Sequence, residues 1–169
     1  SSDTGGLGRV GCHRALGRKA VAHCGWNEPP LYLPLPGEKD YDPCDFYGGD
    51  FDGIREKLPY LKDLGVTCIY LNPVFESPSN HRYNTADYMR TDPVLGSEDD
   101  LRRLAYEAKG YGIRIMLDGV FSHTGDDSVY FDRYGRYGGI GAYSNCDSPY
   151  RKWYSFERYP DDYRCWWGF

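Results

Sequence analysis

The sequence predicts an α/β protein with parallel strands, and three observations carry that expectation. Phe51, Ile54, Leu58, Leu61 and Leu64 recur at three- and four-residue steps, the stripe of a helix lying on a sheet. Two compact apolar runs, VTCIYL at 66–71 and IRIMLDGV at 113–120, have the length and composition of buried strands. Between them lies a second amphipathic helix, so the order helix, strand, helix, strand describes a crossover that is right-handed and sets its strands parallel. Strands apolar along their whole length require cover on both faces of the sheet.

Residues 1–19 are rich in Gly, Ser and Arg, show no apolar period, and read as a flexible tail. From 20 to 49 the chain holds the stretch NEPPLYLPLPGE. Each Pro there removes an amide donor and fixes its own φ, so an extended surface connection is expected. In the first helix Pro59 disturbs the stripe. A mid-helix Pro costs about 3 kcal/mol, which predicts a kink or two short pieces. Gly65 is placed to close the helix as a left-handed cap.

The strand at 66–71 ends at Asn72-Pro73. A loop of about 25 residues follows, containing His81, Tyr83 and Asp87, and long ordered loops in compact domains tend to be functional. Ser97 caps the next helix, with Glu98, Asp99 and Asp100 complementing the dipole in its first turn. Leu101, Leu104, Ala105 and Ala108 form its apolar face, and Gly110 or Gly112 stops it. The second strand follows, completed by Val120 and Phe121, and leaves Asp118 and His123 at its carboxyl end. In parallel α/β folds, ligands bind at that end. Beyond Gly125 the pattern dissolves into Gly, Tyr, Asp and Ser as far as Phe169.

The formal net charge of -5, with no run of Lys or Arg, argues against nucleic acid or an anionic membrane as partner. No stretch approaches the ~20 apolar residues of a membrane span, and no leader is visible. The compartment stays open, with the cytoplasm favoured. Six cysteines (Cys12, Cys24, Cys44, Cys68, Cys146 and Cys165) are widely spread, and free thiols are expected. Cys12-His13 and His23-Cys24 carry zinc-type ligands but lack the usual Cys spacing, so no zinc site is predicted.

Three segments, FYGGDFDGI at 46–54, HRYNTADY at 81–88 and LDGVFSH at 117–123, stand in an order and spacing that resembles the α-amylase superfamily, glycoside hydrolase family 13. The resemblance is particularly to its neopullulanase and cyclomaltodextrinase-like members. The resemblance implies a partial (β/α)8 TIM barrel over 50–124, about strands two and three with their helices, and the start of a domain-B-like insertion over 125–169. A whole barrel takes about 250 residues, so the chain is expected to be a fragment. The family's nucleophile Asp, acid/base Glu and last His-Asp pair follow strands four, five and seven, and none is expected in this chain.

The same resemblance implies roles for individual residues. Tyr83 matches the Tyr that lies against the sugar ring whose bond is broken, and such stacking is worth on the order of 2 kcal/mol. His123 matches the His that hydrogen-bonds that sugar. Asp118 matches the Asp that organises the site by pairing with an Arg further along the chain. His81, Asp87 and Asn80 match positions that shape the pocket entrance. Without the motif, each would read as a structural loop residue, Asp118 as a turn former beside Gly119. Two departures stand out: Asn84 replaces a common Asp, and Ser122 replaces an Asn that helps many members bind calcium. A hydroxyl is the poorer calcium ligand, and no metal or cofactor is predicted.

For function, the resemblance implies a retaining hydrolase or transferase of α-glucosidic bonds on starch-like or maltodextrin substrates, with an α-glucan or maltooligosaccharide as its partner. The chain alone would be inactive. A catalytically inactive scaffold of the same fold is the alternative. A nucleotide-binding doubly wound fold is disfavoured, because no Gly-rich phosphate loop joins a strand to a helix. Aromatics make up 17% of residues. Trp153, Tyr154, Trp166 and Trp167 are open to either reading, cleft rim or core.

Overall fold

The computed structural model describes residues 49–165. The expected tail, nearly all of the Pro-rich connection, the Cys12, His13, His23 and Cys24 candidates, and Trp166 and Trp167 lie outside the described residues.

Asp50 opens the first helical unit, its carboxylate accepting the Gly53 N–H at 2.7 Å. The unit is two short helices, α1 (Phe51–Glu56) and α2 (Leu58–Asp63), with Lys57 between them and Pro59 in the first turn of α2. Proline is tolerated there because first-turn amides have no helical partner. The break expected from the sequence therefore falls just before Pro59. Gly65 closes α2 at φ +87, its N–H donating to the Lys62 carbonyl at 2.9 Å.

Strand β1 (Cys68–Leu71) leads to a short β2 (Phe75–Glu76), which pairs antiparallel with β3 (Asp87–Thr91). Helix α3 (Glu98–Gly110) carries a full capping box: Ser97 Oγ accepts the Asp100 N–H at 3.2 Å, and the Asp100 carboxylate accepts the Ser97 N–H at 2.8 Å. Gly112 ends it in the left-handed region at φ +70. Strand β4 (Arg114–Leu117) then pairs parallel with β1, Cys68 opposite Arg114 and Leu71 opposite Leu117. This is the predicted crossover.

Phe51, Leu58, Val74, Leu104, Ala108 and Ile113 form the buried core, with Ile54, Leu61, Leu101 and Ile115 packed on it. Most of each stripe read from the sequence packs into this core, but Leu64, 65% exposed, and Ala105 face outward instead. Three expectations are corrected. Both strands are shorter than their apolar runs. β4 stops at Leu117, so Val120 and Phe121 do not extend it; the Asp118 N–H bond to the Leu71 carbonyl, 3.1 Å, is where the ladder ends. The long loop is not structureless, since β2 and β3 lie within it. Nor are both faces of the strand pair covered among the described residues: Tyr70 and Met116 are 55% and 53% exposed.

Beyond Gly125 the irregular stretch is organised by aromatic rings. Phe131 touches Tyr143, Tyr154, Phe156 and Tyr163, while Tyr130 touches Tyr88, Tyr150 and Trp153. A one-turn 3-10 helix (Arg151–Trp153) and a hairpin of β5 (Phe156–Arg158) and β6 (Asp162–Tyr163) complete it. Of the described cysteines, Cys68, Cys146 and Cys165 are free thiols.

Candidate functional site

The site lies where the β2–β3 segment meets the exit of β4. Between β2 and β3 the turn His81-Arg82-Tyr83 presents its outer residues to solvent and buries the middle one. Arg82 adopts φ +61, a left-handed conformation uncommon for a side-chain-bearing residue. Its guanidinium forms an ion pair with Asp92, both side chains being almost fully buried. Asn84 is also engaged: its carbonyl oxygen accepts from the hydroxyls of Ser77, at 2.7 Å, and Ser79. In place of a charge, Asn84 supplies a neutral acceptor that holds the turn.

From this turn the Tyr83 hydroxyl donates to Asp118 at 3.0 Å. The Tyr83 carbonyl lies 2.8 Å from His123 Nε2, and Ser122 Oγ lies 3.0 Å from His123 Nδ1. A neutral imidazole with its proton on Nε2 satisfies both contacts, donating to the carbonyl and accepting from the hydroxyl. The strand exit is held in turn by Tyr88, whose hydroxyl faces the carbonyls of Val120 and, at 2.6 Å, His123. Residues 83, 118 and 123 are thus brought together by two different loops.

The rings of His81 and Tyr83 stack with centroids 6.1 Å apart. The Tyr83 N–H donates to His81 Nδ1 at 3.1 Å. Although one side of the His81 ring meets solvent, partial burial holds its pKa below the ordinary value. The phenols of Tyr83 and Tyr70 are both pushed up, first by hydrogen bonding to Asp118, because ionising either would set two negative charges side by side.

Several of these groups open onto a cleft of about 1420 Å³ lined by His81, Tyr83, Phe121 and His123 together with Tyr130, Arg133, Trp153 and Tyr154. Trp153 is 62% exposed on its wall. Tyr154 is half-buried against Phe131, its hydroxyl 2.8 Å from Thr124 Oγ1. Asp118 lies behind Tyr83 rather than on the wall, and Asp87 and Asn80 do not line the cleft. Asp87 accepts the Met89 N–H at 2.8 Å, the local turn bond that its residue type favours. The Ser122 hydroxyl faces His123, and among the described residues no three His, Cys, Asp or Glu side chains converge as metal ligands.

Sequence reasoning missed Arg82, Asp92, Tyr88 and Ser79. The only signal for them was their position beside the motif residues, since hydrogen bonds between remote loops leave no periodicity to read.

Parallel strands joined by an α3 crossover, with polar and aromatic groups gathered at their carboxyl ends, define a segment of a (β/α)8 enzyme barrel. The profile of the Alpha amylase catalytic domain matches residues 11–165, and the chain belongs to that family. It is 48% identical over 158 residues to an amylopullulanase of Thermoanaerobacterium saccharolyticum, an alignment covering 87% of this chain and 12% of that protein. With neopullulanase 2 of Thermoactinomyces vulgaris it shares 44% over 115 residues, 68% of this chain and 18% of the relative. Among solved structures, the type III pullulan hydrolase from Thermococcus kodakarensis superposes with a TM-score of 0.64 at 40% identity, over 74% of this chain and 22% of that one. The chain thus spans about 12 to 18% of the length of these curated relatives, and its fold is part of their barrel.

Proposed function

We propose that this segment forms the sugar-recognition wall of a retaining glycoside hydrolase that cleaves α-glucosidic bonds in starch-like or pullulan-like glucans. The observation that carries the reading is the convergence of Tyr83, Asp118 and His123 at the strand exit. Tyr83 offers an aromatic face, 39% exposed, for a pyranose ring. His123, held between Ser122 and the Tyr83 carbonyl, lines the cleft beside that ring, and a sugar hydroxyl there would take over the Nε2 bond from the carbonyl. Asp118 orients the Tyr83 phenol and remains an acceptor for a cation brought by the rest of the barrel.

In a retaining mechanism two carboxyls about 5 to 5.5 Å apart flank the bond, one attacking carbon and one protonating the leaving oxygen. Asp118 is assigned neither role, because the resemblance puts the nucleophile Asp and the acid/base Glu after later strands. The wall holds the ring in register so that the carboxyl pair, carried by later strands, meets the anomeric carbon. On its own the chain releases no reducing sugar from maltodextrin.

The test uses the complete polypeptide that carries this segment. Tyr83→Ala and His123→Ala should each lower kcat/KM on maltooligosaccharides at least about thirtyfold, the equivalent of a 2 kcal/mol stacking contact, with the far-UV circular dichroism unchanged. Wild-type kinetics in both variants would remove the two residues from the site, and an intact protein inert on every α-glucan would favour the scaffold reading.

A further inference from the structure

Asp118 orients the Tyr83 phenol through its hydroxyl, but the backbone that carries the ring needs a support of its own. Within the turn that carries it, 81–83, one residue is buried: Arg82 is 6% exposed, while His81 and Tyr83 on either side are exposed. Its guanidinium meets Asp92, whose side chain is also almost fully buried. Asp92 sits just past the end of β3, where it further accepts the N–H groups of Val94 at 2.9 Å and Ser77 at 3.3 Å. The left-handed φ of +61 at Arg82 turns the backbone so that its neighbours' rings stack on the cleft side while its own side chain points inward.

A buried ion pair is a poor source of stability, because desolvating both partners offsets their attraction. Burial in fact holds Asp92 above the usual carboxylate range despite the guanidinium beside it. An unfavoured backbone conformation persists only where its surroundings over-determine it, and such positions cluster at functional sites. Both features are explained if the pair serves geometry.

We infer that Arg82 and Asp92 are positioning residues of the site: their buried pair roots the 81–83 turn and thereby sets the place of the Tyr83 ring against Asp118. The inference rests on the reading of Tyr83 as a sugar contact. Neither residue touches substrate. Each acts through Tyr83.

The experiment again uses the complete polypeptide. Arg82→Met alone leaves a buried carboxylate unpaired and can fail to fold, so the informative change is the neutral pair Arg82→Met with Asp92→Asn, which strands no charge. That double variant should keep its Tm within a few degrees while kcat falls about a hundredfold, the scale of an ångström-sized misplacement, with KM nearly unchanged. Arg82→Lys, which keeps a cation within reach of Asp92, should restore most of the loss. In a Tyr83→Ala background the double variant should add less than about a twofold effect, because its route of action is already gone.

Wild-type kcat in the double variant, or an equal loss in both backgrounds, would overturn the inference. If Tyr83→Ala itself leaves turnover intact, the sugar-contact reading fails separately. The clamp is then judged by amide exchange at Tyr83 and Asn84: faster exchange in the double variant, reversed by Arg82→Lys, supports it, and unchanged exchange rejects it.

Discussion

The Tyr83 hydroxyl donates to Asp118 across 35 residues of sequence, at 3.0 Å, tying the segment that precedes β3 to the exit of β4. The bond exists only while the phenol keeps its proton, so Asp118 pushes the Tyr83 pKa up. Asp118→Asn should therefore bring the Tyr83 titration back down toward that of an ordinary phenol, leaving only the smaller upward push of burial. Tyr70 feels the same carboxylate, and the measurement is best made by ultraviolet titration in a Tyr70→Phe background. A Tyr83 titration indifferent to the Asn substitution would mean that the bond is not formed in solution.

Tyr88 offers a narrower test. Its one proton serves two carbonyls, those of Val120 and His123, which bracket the turn that carries His123. Tyr88→Phe removes an oxygen and leaves no cavity, so stability should fall by about 1 kcal/mol, the net worth of a buried hydrogen bond. If the clamp aims His123, turnover should fall about tenfold as well. Urea unfolding and steady-state kinetics on the same preparation separate the two effects, and a stability loss with full turnover would reduce Tyr88 to a purely structural tether.

Much of this architecture was legible in the chain because it rests on local rules. Phe51, Leu58, Leu104 and Ala108 fall on the buried faces that their spacing assigned, Ser97 caps α3, Pro59 divides the first helical unit, and Gly65 and Gly112 sit in the left-handed region. The convergence of Tyr83, Asp118 and His123 was legible only through motif resemblance, since no periodicity places residues 83 and 123 together. What stayed hidden is non-local. The β2–β3 pairing joins a two-residue strand to a five-residue one, too short for an alternation to register. Trp153 and Tyr154 are adjacent and both line the cleft, yet one is 62% exposed and the other half-buried, because a 3-10 turn without a hydrophobic period decides which ring faces inward.

Packing in the aromatic lobe predicts a contrast between two glycines. A Cβ on Gly141 would lie 2.3 Å from Asp132 Cβ and 2.5 Å from the Phe131 carbonyl carbon and oxygen, whereas one on Gly138 meets nothing within 4 Å. Asp132 cannot give way, being buried at φ +53 with its carboxylate accepting the Arg136 N–H at 2.7 Å. Gly141→Ala should thus destabilise the protein by about 2 to 4 kcal/mol, through overpacking against a fixed backbone. Gly138→Ala should lose only about 1 kcal/mol, from strain at φ +70. Equal shifts in urea midpoint would contradict the close contact at Gly141.

Asp127 makes the stability of this lobe depend on pH in a direction opposite to that of most carboxylates. Its Oδ1 is buried with no hydrogen-bond partner, and its pKa is pushed up to about 6, first by burial and then by the nearby charge of Asp126. In the unfolded chain the same group titrates near its ordinary 3.8. Between those values the native state holds the proton more tightly than the unfolded one, so stability falls as pH rises through the window and is flat above it. The full change is on the order of 3 kcal/mol, an upper figure because solvent still reaches part of the residue. Asp127→Asn, neutral at every pH, should abolish this component. The difference in unfolding free energy between wild type and Asn variant should therefore favour wild type more at about pH 4 than at about pH 7. A difference that does not vary with pH would mean that Asp127 ionises in the native state as freely as in water, with its carboxylate open to solvent.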